Sequence, residues 1–578
     1  MARKSECKRL LVAAMDFGTT YSGYGFSFTT EPMKVQTNQA WVAGSRQLIS
    51  LKTPTCILLN AQKEFHSFGY QAENKYADLS MDGEHTNWYF FRNFKMLLHN
   101  TEGLKQDTEI EDMLGHRMPA MEIFTWSIKY LKDHLMETLQ NRIPGIVLED
   151  VHFVLTVPAI WDDKAKQYMR NAAVNAGISN DQLSIALEPE AAAVWCQQLE
   201  LLKMFEPDSP SSERLFTPGM RYMVVDLGGG TIDIAVHEIR QDGSMGKLYK
   251  ASGGPWGGTC VDEMFLNFIG KIVGQDVLKT FVRKHTSDYF DLLREFETKK
   301  RTIKRGMDTK ISITLPIAIK DIFDEKGEDV KKAIAHSGNE DKVKWDRDKF
   351  RFDASLGVGF FDEPIQSILN HMRMVLSDPS LNNLSTIILV GGFAECTLVQ
   401  ETLKKHFTQT KIIIPEESEL VILKGATIFG HFPKSITARI ARFTYGLECP
   451  EPFDNAVHPT EKQVPVGGGY ICQDVFDTCV ELGETLNVGH AVNKIRHPVR
   501  IDQTHANFYM YASTELKPMF TTDSSCRLLG TFRVPVPEGK TKDNRKMEAS
   551  VIFGDTEIFF KVNHINTKKE FRTYFKYN

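Results

Sequence analysis

The sequence lacks several features that would assign it to a specialised class of protein. Its 578 residues include nine scattered cysteines without a CxxC pair, which argues against a disulfide framework or a zinc site. No apolar run approaches the ~18 residues needed to span a bilayer. The net charge of -5 gives no electrostatic reason to expect nucleic acid as a partner. We therefore expect a soluble protein of a reducing compartment, in the cytoplasm or the nucleus.

Two further signals are missing. The basic start is followed by the apolar residues 10–14, but Asp16 interrupts this run, so we predict a first strand rather than a signal peptide. No GxxxxGK[ST] sequence occurs, which excludes the Walker A type of nucleotide site. The remaining composition, 42% apolar and 25% charged, is ordinary for a globular protein, and the length predicts roughly two to four domains.

Two glycine-threonine turns are the most informative features present. Residues 16–22 read DFGTTYS and residues 226–233 read DLGGGTID, each after an apolar run. The pattern predicts two hairpins whose backbone N–H groups and threonine hydroxyls face a polyphosphate, with glycines that let the backbone approach it. The carboxylates of Asp16, Asp226 and Asp233 would repel phosphate, so they imply a hydrated Mg²⁺ ion between them.

The chain changes character along its length. Strand-like and helix-like segments alternate up to about residue 432, including a predicted helix over 121–139 and a predicted strand over 151–157. From about residue 443, short alternating runs separated by Pro, Gly and Asp predict a β-sandwich. Because the first part repeats its hairpin pattern, it predicts an α/β domain with a cleft between two similar lobes.

Five segments, in order, resemble the seventy-kilodalton heat-shock chaperones, whose ATPase domain shares its fold with actin and sugar kinases. The segments are residues 16–22, 156–159 (TVPA) with 188–193 (EPEAAA), 226–233, 257–259 (GGT) with Asp262, and 390–392 (VGG). Residues 424–427 (KGAT) are similar to the helix that closes the adenosine side in that family. The divergent details look most like the atypical 12A/12B branch.

The resemblance implies an α/β fold in three parts. Residues 10–432 would form a two-lobed, actin-like (ribonuclease H-like) ATPase domain. Residues 433–479 would form an atypical connecting segment, and residues 480–578 a smaller, degenerate β-sandwich similar to a substrate-binding domain. No helical lid is expected after it.

The resemblance also implies the residues of an ATP or ADP site with Mg²⁺. The implied nucleotide-binding residues are Gly18, Thr19, Thr20, Tyr21, Gly228, Gly229, Gly230, Thr231, Gly257, Gly258, Glu297, Lys300, Arg301, Gly391, Gly392 and Phe393. The implied catalytic residues are Lys95, Glu188, Asp226 and Thr231, and the water-mediated metal shell is Asp16, Asp226 and Asp233. Lys95 would orient the attacking water and compensate charge on the γ-phosphoryl group.

The sequence departs from the family pattern at several positions. Phe393 and Glu395 replace a Ser/Thr and an Arg, so Phe393 either stacks on adenine or fills the pocket. Glu190 replaces a Thr and is expected to add negative charge near the metal shell. The acidic, leucine-rich linker is replaced by the basic residues 435–446. Pro158 matches the family's interdomain switch proline, which suggests that coupling between domains persists.

Three hypotheses for function follow. The first is an ATP-binding, chaperone-like protein with weak hydrolysis coupled to a protein client or signalling partner, assisted by nucleotide-exchange or J-domain co-chaperones. The second is a nucleotide-gated scaffold with negligible turnover. The third is a small-molecule kinase of the same superfamily, against which the β-rich region argues. An actin-like filament is also conceivable.

Overall fold

Two β-sheets with the same internal order form the centre of the molecule. The computed structural model that shows them describes residues 9–38, 41–43, 48–99, 104–105, 107–203, 216–327, 329–466, 468–498, 500, 502–539, 541 and 543–574. Each sheet has a central strand that ends in one of the predicted turns.

The first-lobe sheet is built around the strand Leu11–Phe17. In spatial order its strands are Leu183–Leu187, Val151–Val157, Leu11–Phe17, Tyr21–Phe28 and Gln36–Thr37, with Thr53–Pro54 also paired to Tyr21–Phe28. The central strand runs parallel to Val151–Val157 and antiparallel to Tyr21–Phe28. All its residues are buried, because helices Ala120–Arg142 and Val421–His431 both pack on it. This explains why its sequence is continuously apolar up to Asp16.

The second-lobe sheet repeats this arrangement and extends it. In spatial order its strands are Lys411–Ile413, Thr386–Val390, Arg221–Leu227, Ile232–Ile239, Met245–Gly254, Ile436–Ile440 and Thr485–Asn487. The first five have the same relative directions as the five in the other lobe. The last two lie after residue 432, and Ile436–Ile440 pairs with the start of Met245–Gly254, at Met245 and Gly246.

Helices surround these sheets, and two of them cross between the lobes. The α-helices are Tyr70–Met81, Ala120–Arg142, Asp163–Asn175, Glu188–Lys203, Gly258–Val273, Gln275–Lys284, Thr286–Lys300, Ile317–Asp324, Val330–His336, Ala354–Gly359, Asp362–Leu376, Thr397–His406 and Val421–His431. Glu188–Lys203 and Val421–His431 pack directly on each other, with Gly425 against the carbonyl oxygen of Ala191. No α-helix in the described part of the chain is long and apolar enough to cross a membrane.

The remaining strands before residue 432 form small sheets at the lobe surfaces. They are Trp41–Ala43 with Leu48–Ser50; Phe65–Phe68, Cys56–Leu59 and Tyr89–Arg92; Glu109–Glu111 with Arg117–Pro119; and Lys310–Thr314, Lys349–Asp353 and Val343–Asp346. Cys56–Leu59 pairs with Tyr89–Arg92, and this pairing holds the segment that carries Lys95 next to the first lobe.

Two four-stranded antiparallel sheets pack face to face in the β-rich region. One contains Phe476–Val480, Thr444–Glu448, His505–Ser513 and Cys526–Pro535, and the other contains His490–Arg496, Met547–Phe553, Phe559–His564 and Glu570–Tyr574. A small sheet of Glu451–Pro452, Gly469–Cys472 and Gln463–Val466 lies beside them. One apolar core joins the two larger sheets, with Leu447 and Met510 from the first and Val551 and Phe560 from the second.

The two-lobed α/β fold followed by a β-rich region is confirmed. The predicted helix over 121–139 is found as Ala120–Arg142, and the predicted strand over 151–157 is found with the same bounds. The boundaries at residues 432 and 479 stay predictions. Strands from 433–479 join both the second-lobe sheet and the sandwich. In the described residues after Val421–His431 there is no further α-helix, and the absence of a lid stays a prediction.

Candidate functional site

A cleft of about 360 Å³ lies between the lobes, at the ends of the two central strands. Most of the predicted site residues line it. They are Asp16, Gly18, Thr19, Thr20, Tyr21, Lys95, Glu188, Asp226, Gly228, Gly229, Gly230, Thr231, Gly258, Glu297, Lys300, Arg301, Gly391, Gly392 and Phe393. Gly257 and Asp233 lie directly behind this lining, in contact with the second hairpin.

The two hairpin turns face each other across the cleft at close range. A Cβ atom at Gly229 would lie 2.3 Å from Thr20 Oγ1, and one at Gly230 would lie 2.8 Å from Thr19 Oγ1. A Cβ atom at Gly18 would lie 2.2 Å from the carbonyl oxygen of Tyr21 within its own turn. These glycines therefore allow the backbones and threonine hydroxyls of both turns to converge on one volume.

A second glycine-rich segment holds the second turn in place. The backbone N–H groups of residues 257–259 donate to the carbonyl oxygens of residues 228–230, at 2.8 to 3.2 Å. A Cβ atom at Gly257 would lie 2.3 Å from the oxygen of Gly229, so this glycine is needed for the contact. Because these carbonyls are held from behind, the opposite side of the turn is left to face the cleft.

Two buried carboxylates of the second hairpin have an oxygen without a hydrogen-bond partner. Asp226 and Asp233 are direct partners across the hairpin, and Asp226 Oδ1 and Asp233 Oδ2 are both unpaired. Burial, and then the negative charge of Glu188, raise the pKa of Asp226 well above its usual value and that of Asp233 to about 7. Buried carboxyl groups of this kind are either protonated or compensated by a cation.

These carboxylates fit a hydrated Mg²⁺ ion. Among the described residues no group of three acidic, His or Cys side chains is close enough to ligate a metal directly. The unpaired oxygens of Asp226 and Asp233 are able to accept hydrogen bonds from metal-bound water, which is how Mg²⁺ is often held.

Lys95 and Glu188 form a buried ion pair in the cleft. Lys95 Nζ lies 2.8 Å from Glu188 Oε1, and the two residues are 2% and 6% exposed. Burial raises the pKa of Glu188, although the positive charge of Lys95 opposes this. The ring of Trp161 lies 5.2 Å from Lys95 Nζ. The ion pair thus holds the Lys95 ammonium group inside the cleft, where it could compensate the negative charge of a phosphate group.

Lys52 is a cleft residue that the sequence did not reveal. Its Nζ lies 2.5 Å from Asp16 Oδ2, while Asp16 Oδ1 accepts a hydrogen bond from the Thr156 hydroxyl at 2.8 Å. Burial opposes ionisation of Asp16, but Lys52 outweighs it and lowers the pKa of the carboxyl. A single lysine outside a recognised motif has no sequence signal, because most such lysines are solvated.

Three charged residues that were predicted to bind nucleotide, Glu297, Lys300 and Arg301, lie at the end of the helix Thr286–Lys300 and interact with one another. Lys300 Nζ lies 2.5 Å from Glu297 Oε2 and 2.8 Å from Asp262 Oδ1. Arg301 binds Glu297 at 3.0 Å and Glu395 at 2.5 Å. The replacement at Glu395 is therefore compensated by an arginine of the neighbouring helix.

Phe393 is mainly a core residue with one side on the cleft. It is 4% exposed, and its ring stacks on Phe361 with a centroid distance of 6.2 Å. The preceding Gly391 has a φ of 88°, and a Cβ atom there would lie 2.5 Å from Asp226 Oδ1. The glycine is thus required, whereas stacking of Phe393 on a base stays a prediction.

Comparisons with known proteins decide the family. The sequence model of the family described as Hsp70 protein matches residues 91–435. Human Heat shock 70 kDa protein 12A is 35% identical over 612 residues, covering 97% of this chain and 90% of that protein. The chain belongs to the Hsp70 family. Within it, the chain belongs to the 12A/12B branch, because human Heat shock 70 kDa protein 12B is also 32% identical over 97% of this chain.

A more distant Hsp70 relative matches only part of the chain. Chaperone protein HscA homolog of Acinetobacter baumannii (strain AYE) is 25% identical over 318 residues, which cover 55% of this chain and 42% of that protein. Hsp70 proteins generally bind nucleotide with Mg²⁺, and the residues described above fit both groups.

One departure from the Hsp70 pattern has a different meaning from the one expected. Glu190 was expected to add negative charge near the metal shell, but its carboxylate is paired with Arg439 Nη2 at 2.7 Å and Lys247 Nζ at 3.4 Å. Although burial opposes ionisation, these two cations lower the pKa of Glu190 to about 2. Its charge is therefore neutralised by a strand of the basic segment and a strand of the second lobe.

A second residue of the basic segment contacts the loop after Pro158. Arg442 Nη1 donates to the carbonyl oxygens of Ala159, Ile160 and Trp161 at 3.3, 2.7 and 2.7 Å. The backbone N–H of Ile160 in turn donates to Asp233 Oδ1 at 2.8 Å. One loop thus connects the start of the β-rich region to the carboxylate shell.

Proposed function

We propose that this Hsp70-family chain binds ATP or ADP with Mg²⁺ in the cleft, hydrolyses ATP weakly and couples nucleotide state to a protein partner. The observation that carries the proposal is the convergence of two glycine-threonine turns on the Lys95–Glu188 pair and the unpaired oxygens of Asp226 and Asp233. Donors for phosphate, acceptors for metal-bound water and a buried ammonium group are the components that phosphoryl transfer needs.

Each cleft residue has a defined task in this proposal. Bound Mg-ATP supplies the γ-phosphoryl group. The backbone N–H groups of both turns and the Thr231 hydroxyl would bind phosphate oxygens, while Asp226 and Asp233 would hold a hydrated Mg²⁺ ion, which would offset phosphate charge. Lys95 compensates charge that develops on the phosphoryl oxygens and orients the attacking water, and Glu188 holds Lys95 in place.

The loop of residues 158–161 supports coupling to a partner. It contacts Arg442 on one side, and on the other it contacts Asp233 through Ile160 and Lys95 through Trp161. A movement of the carboxylate shell when nucleotide changes would thus reach the β-rich region, where we place client binding. Hsp70 proteins generally bind client proteins and co-chaperones.

We also propose a cytoplasmic location, which the free thiols of the eight described cysteines support.

A nucleotide-gated scaffold is the second candidate function. Lys95 is already paired with Glu188, and ion pairs fix the β-rich region to the first lobe, as with Arg170 and Glu557. Both contacts favour a single stable conformation over repeated cycles of ATP binding and hydrolysis. Kinase activity toward a small molecule is the third candidate, and product analysis with ATP alone distinguishes it from hydrolysis.

The test is Mg-ATP binding by calorimetry and single-turnover hydrolysis with protein in excess. The unmodified chain is compared with Lys95→Ala, Asp226→Asn and the exposed control Lys34→Ala, whose side chain is 72% accessible. We expect Lys95→Ala to bind ATP and to lose hydrolysis by about 10²–10³-fold. Asp226→Asn should weaken Mg²⁺-dependent binding, and Lys34→Ala should match the unmodified chain.

The outcomes separate the candidates. Binding without cleavage in every variant supports the scaffold. Cleavage that survives in Lys95→Ala removes this lysine from the catalytic role. Failure of the unmodified chain to bind Mg-ATP would refute the nucleotide site as a whole.

A further inference from the structure

The cleft contains the ammonium group of Lys52, which the sequence motifs do not include. Lys52 Nζ lies 2.5 Å from Asp16 Oδ2, and the side chain is 12% accessible. Thr156 occupies the other Asp16 oxygen. Both oxygens of this carboxylate are therefore engaged by the chain itself, in contrast to Asp226 and Asp233, which each keep an unpaired oxygen.

The position of Lys52 is determined by the hairpin beside it. The next residue, Thr53, pairs with Ser22 in the strand Tyr21–Phe28, so the backbone is fixed next to the first turn. Gly23 lies directly opposite Asp16 in the same hairpin, and a Cβ atom at Gly23 would lie 3.1 Å from Lys52 Cγ. The glycine thus leaves room for the lysine stem to cross the hairpin and reach Asp16.

The charges around Lys52 show why a tethered cation is useful there. The carboxylates near the turns are those of Asp16, Glu188, Asp226 and Asp233, and the ammonium groups of Lys52 and Lys95 pair with two of them. Lys300 also lines the cleft, but it pairs with Asp262 and Glu297 instead. The field of Lys52 extends beyond Asp16 to Glu419 and Asp226. A polyphosphate that enters this cleft approaches these carboxylates, and a cation beside them reduces the repulsion that it meets.

We propose that Lys52 acts as a tethered cation in the nucleotide site, which compensates Asp16 and so lowers the repulsion that a bound polyphosphate meets. ATP binding by this chain then depends less on Mg²⁺ than a shell of carboxylates alone would require. The inference rests on the proposed function and assigns no part of hydrolysis to Lys52, which stays with Lys95.

The test measures ATP affinity in Mg²⁺ and in EDTA for the unmodified chain, Lys52→Gln and the exposed control Lys34→Gln. Glutamine removes the charge and retains an N–H donor, on a side chain that is one atom shorter than that of lysine. We expect removal of Mg²⁺ to raise the Kd of Lys52→Gln by at least about tenfold more than that of the other two proteins. An equal rise in all three proteins overturns the assignment of Lys52.

A second measurement needs no variant and so does not depend on how Lys52→Gln folds. The melting temperature of the unmodified chain is recorded with Mg-ATP and with ATP in EDTA. We expect a stabilising shift in both conditions. A shift with Mg-ATP that disappears in EDTA overturns the role of Lys52, whereas no shift in either condition overturns the proposed function itself.

Discussion

At the scale of single residues, buried charges in this protein are held by specific partners. Glu190 is 1% exposed and pairs with Arg439 and Lys247, and Arg439 Nη1 also donates to the carbonyl oxygen of Gly554. One carboxylate thus joins a helix of the first lobe, a strand of the second lobe and a loop of the β-rich region. Breaking such a pair leaves uncompensated charge in a dry interior.

The first prediction concerns Glu190→Gln. It should lower the free energy of unfolding by about 3–5 kcal/mol, because two cations lose their buried partner. The drop in melting temperature measures it. Glu31→Gln removes an exposed ion pair with Lys34 and should change stability by less than about 1 kcal/mol. Equal effects of the two substitutions would contradict the prediction.

The second prediction is the pH dependence of the same residue. The pKa of Glu190 is about 2 in the folded chain and about 4.5 when unfolded. A depressed pKa contributes stability above the unfolded value, on the order of 3 kcal/mol here, and the contribution is lost as the pH falls toward the folded value. The difference in melting temperature between the unmodified chain and Glu190→Gln should therefore shrink as the pH is lowered below about 4.5. A difference that stays constant would rule out this linkage.

At the scale of elements, the two crossing helices depend on one close backbone approach. Gly425 lies in the helix Val421–His431, and a Cβ atom there would lie 1.8 Å from the carbonyl oxygen of Ala191 in Glu188–Lys203. Any larger residue must push the helices apart, and Glu188 is at the start of the second helix. The contact therefore affects both lobe packing and the position of a cleft residue.

The third prediction is that Gly425→Ala lowers the free energy of unfolding by about 1–3 kcal/mol. The added methyl group has no space, and the resulting steric cost exceeds the gain in helix propensity of about 1 kcal/mol. Urea denaturation measures it. The matched control is Gly359→Ala, where the nearest atom to the new Cβ would be Asp362 Oδ2 at 4.0 Å. A loss of stability in the control alone would refute the packing argument.

The sequence predicts the secondary-structure elements better than it predicts the side-chain contacts around the site. The hairpins at Asp16 and Asp226 and the helix Ala120–Arg142 follow from patterns that are local in the chain, so periodicity and turn residues suffice. The neutralisation of Glu190 by Arg439 joins residues 249 positions apart, and no local pattern reports it. Lys52 and Arg442 were missed for the same reason, since their partners are brought near only by the fold.

At the scale of the whole molecule, polar contacts attach the β-rich region to the first lobe around the helix Asp163–Asn175. Arg170, 2% exposed, pairs with Glu557, with Nε at 2.5 Å from Oε1. Tyr445 donates to Asp163 at 2.8 Å, and Arg527 Nη1 lies 2.7 Å from Asp162 Oδ2. Because these partners are 282 to 387 residues apart, the contacts make the two regions one packed unit.

The fourth prediction uses the Arg170–Glu557 pair as a double-mutant cycle. Arg170→Met and Glu557→Leu should each lower stability by about 3–5 kcal/mol, because each strands a buried charge. The double substitution should recover most of the loss, since it removes both charges. Melting temperature and the rate of limited proteolysis between the regions are the measurements. Additive losses in the double variant would show that the pair does not hold this interface.

The strand Thr485–Asn487 at the edge of the second-lobe sheet has a consequence for how such a protein can be divided. The chain enters the sandwich at Thr444–Glu448 and returns to the second-lobe sheet about forty residues later, at Thr485–Asn487. Truncation near residue 432 would remove this strand and Ile436–Ile440, and would expose the part of the Met245–Gly254 edge that pairs with Ile436–Ile440. A cut at this point would divide one sheet instead of separating two regions. We therefore expect a chain that ends there to aggregate more readily than one that keeps both strands.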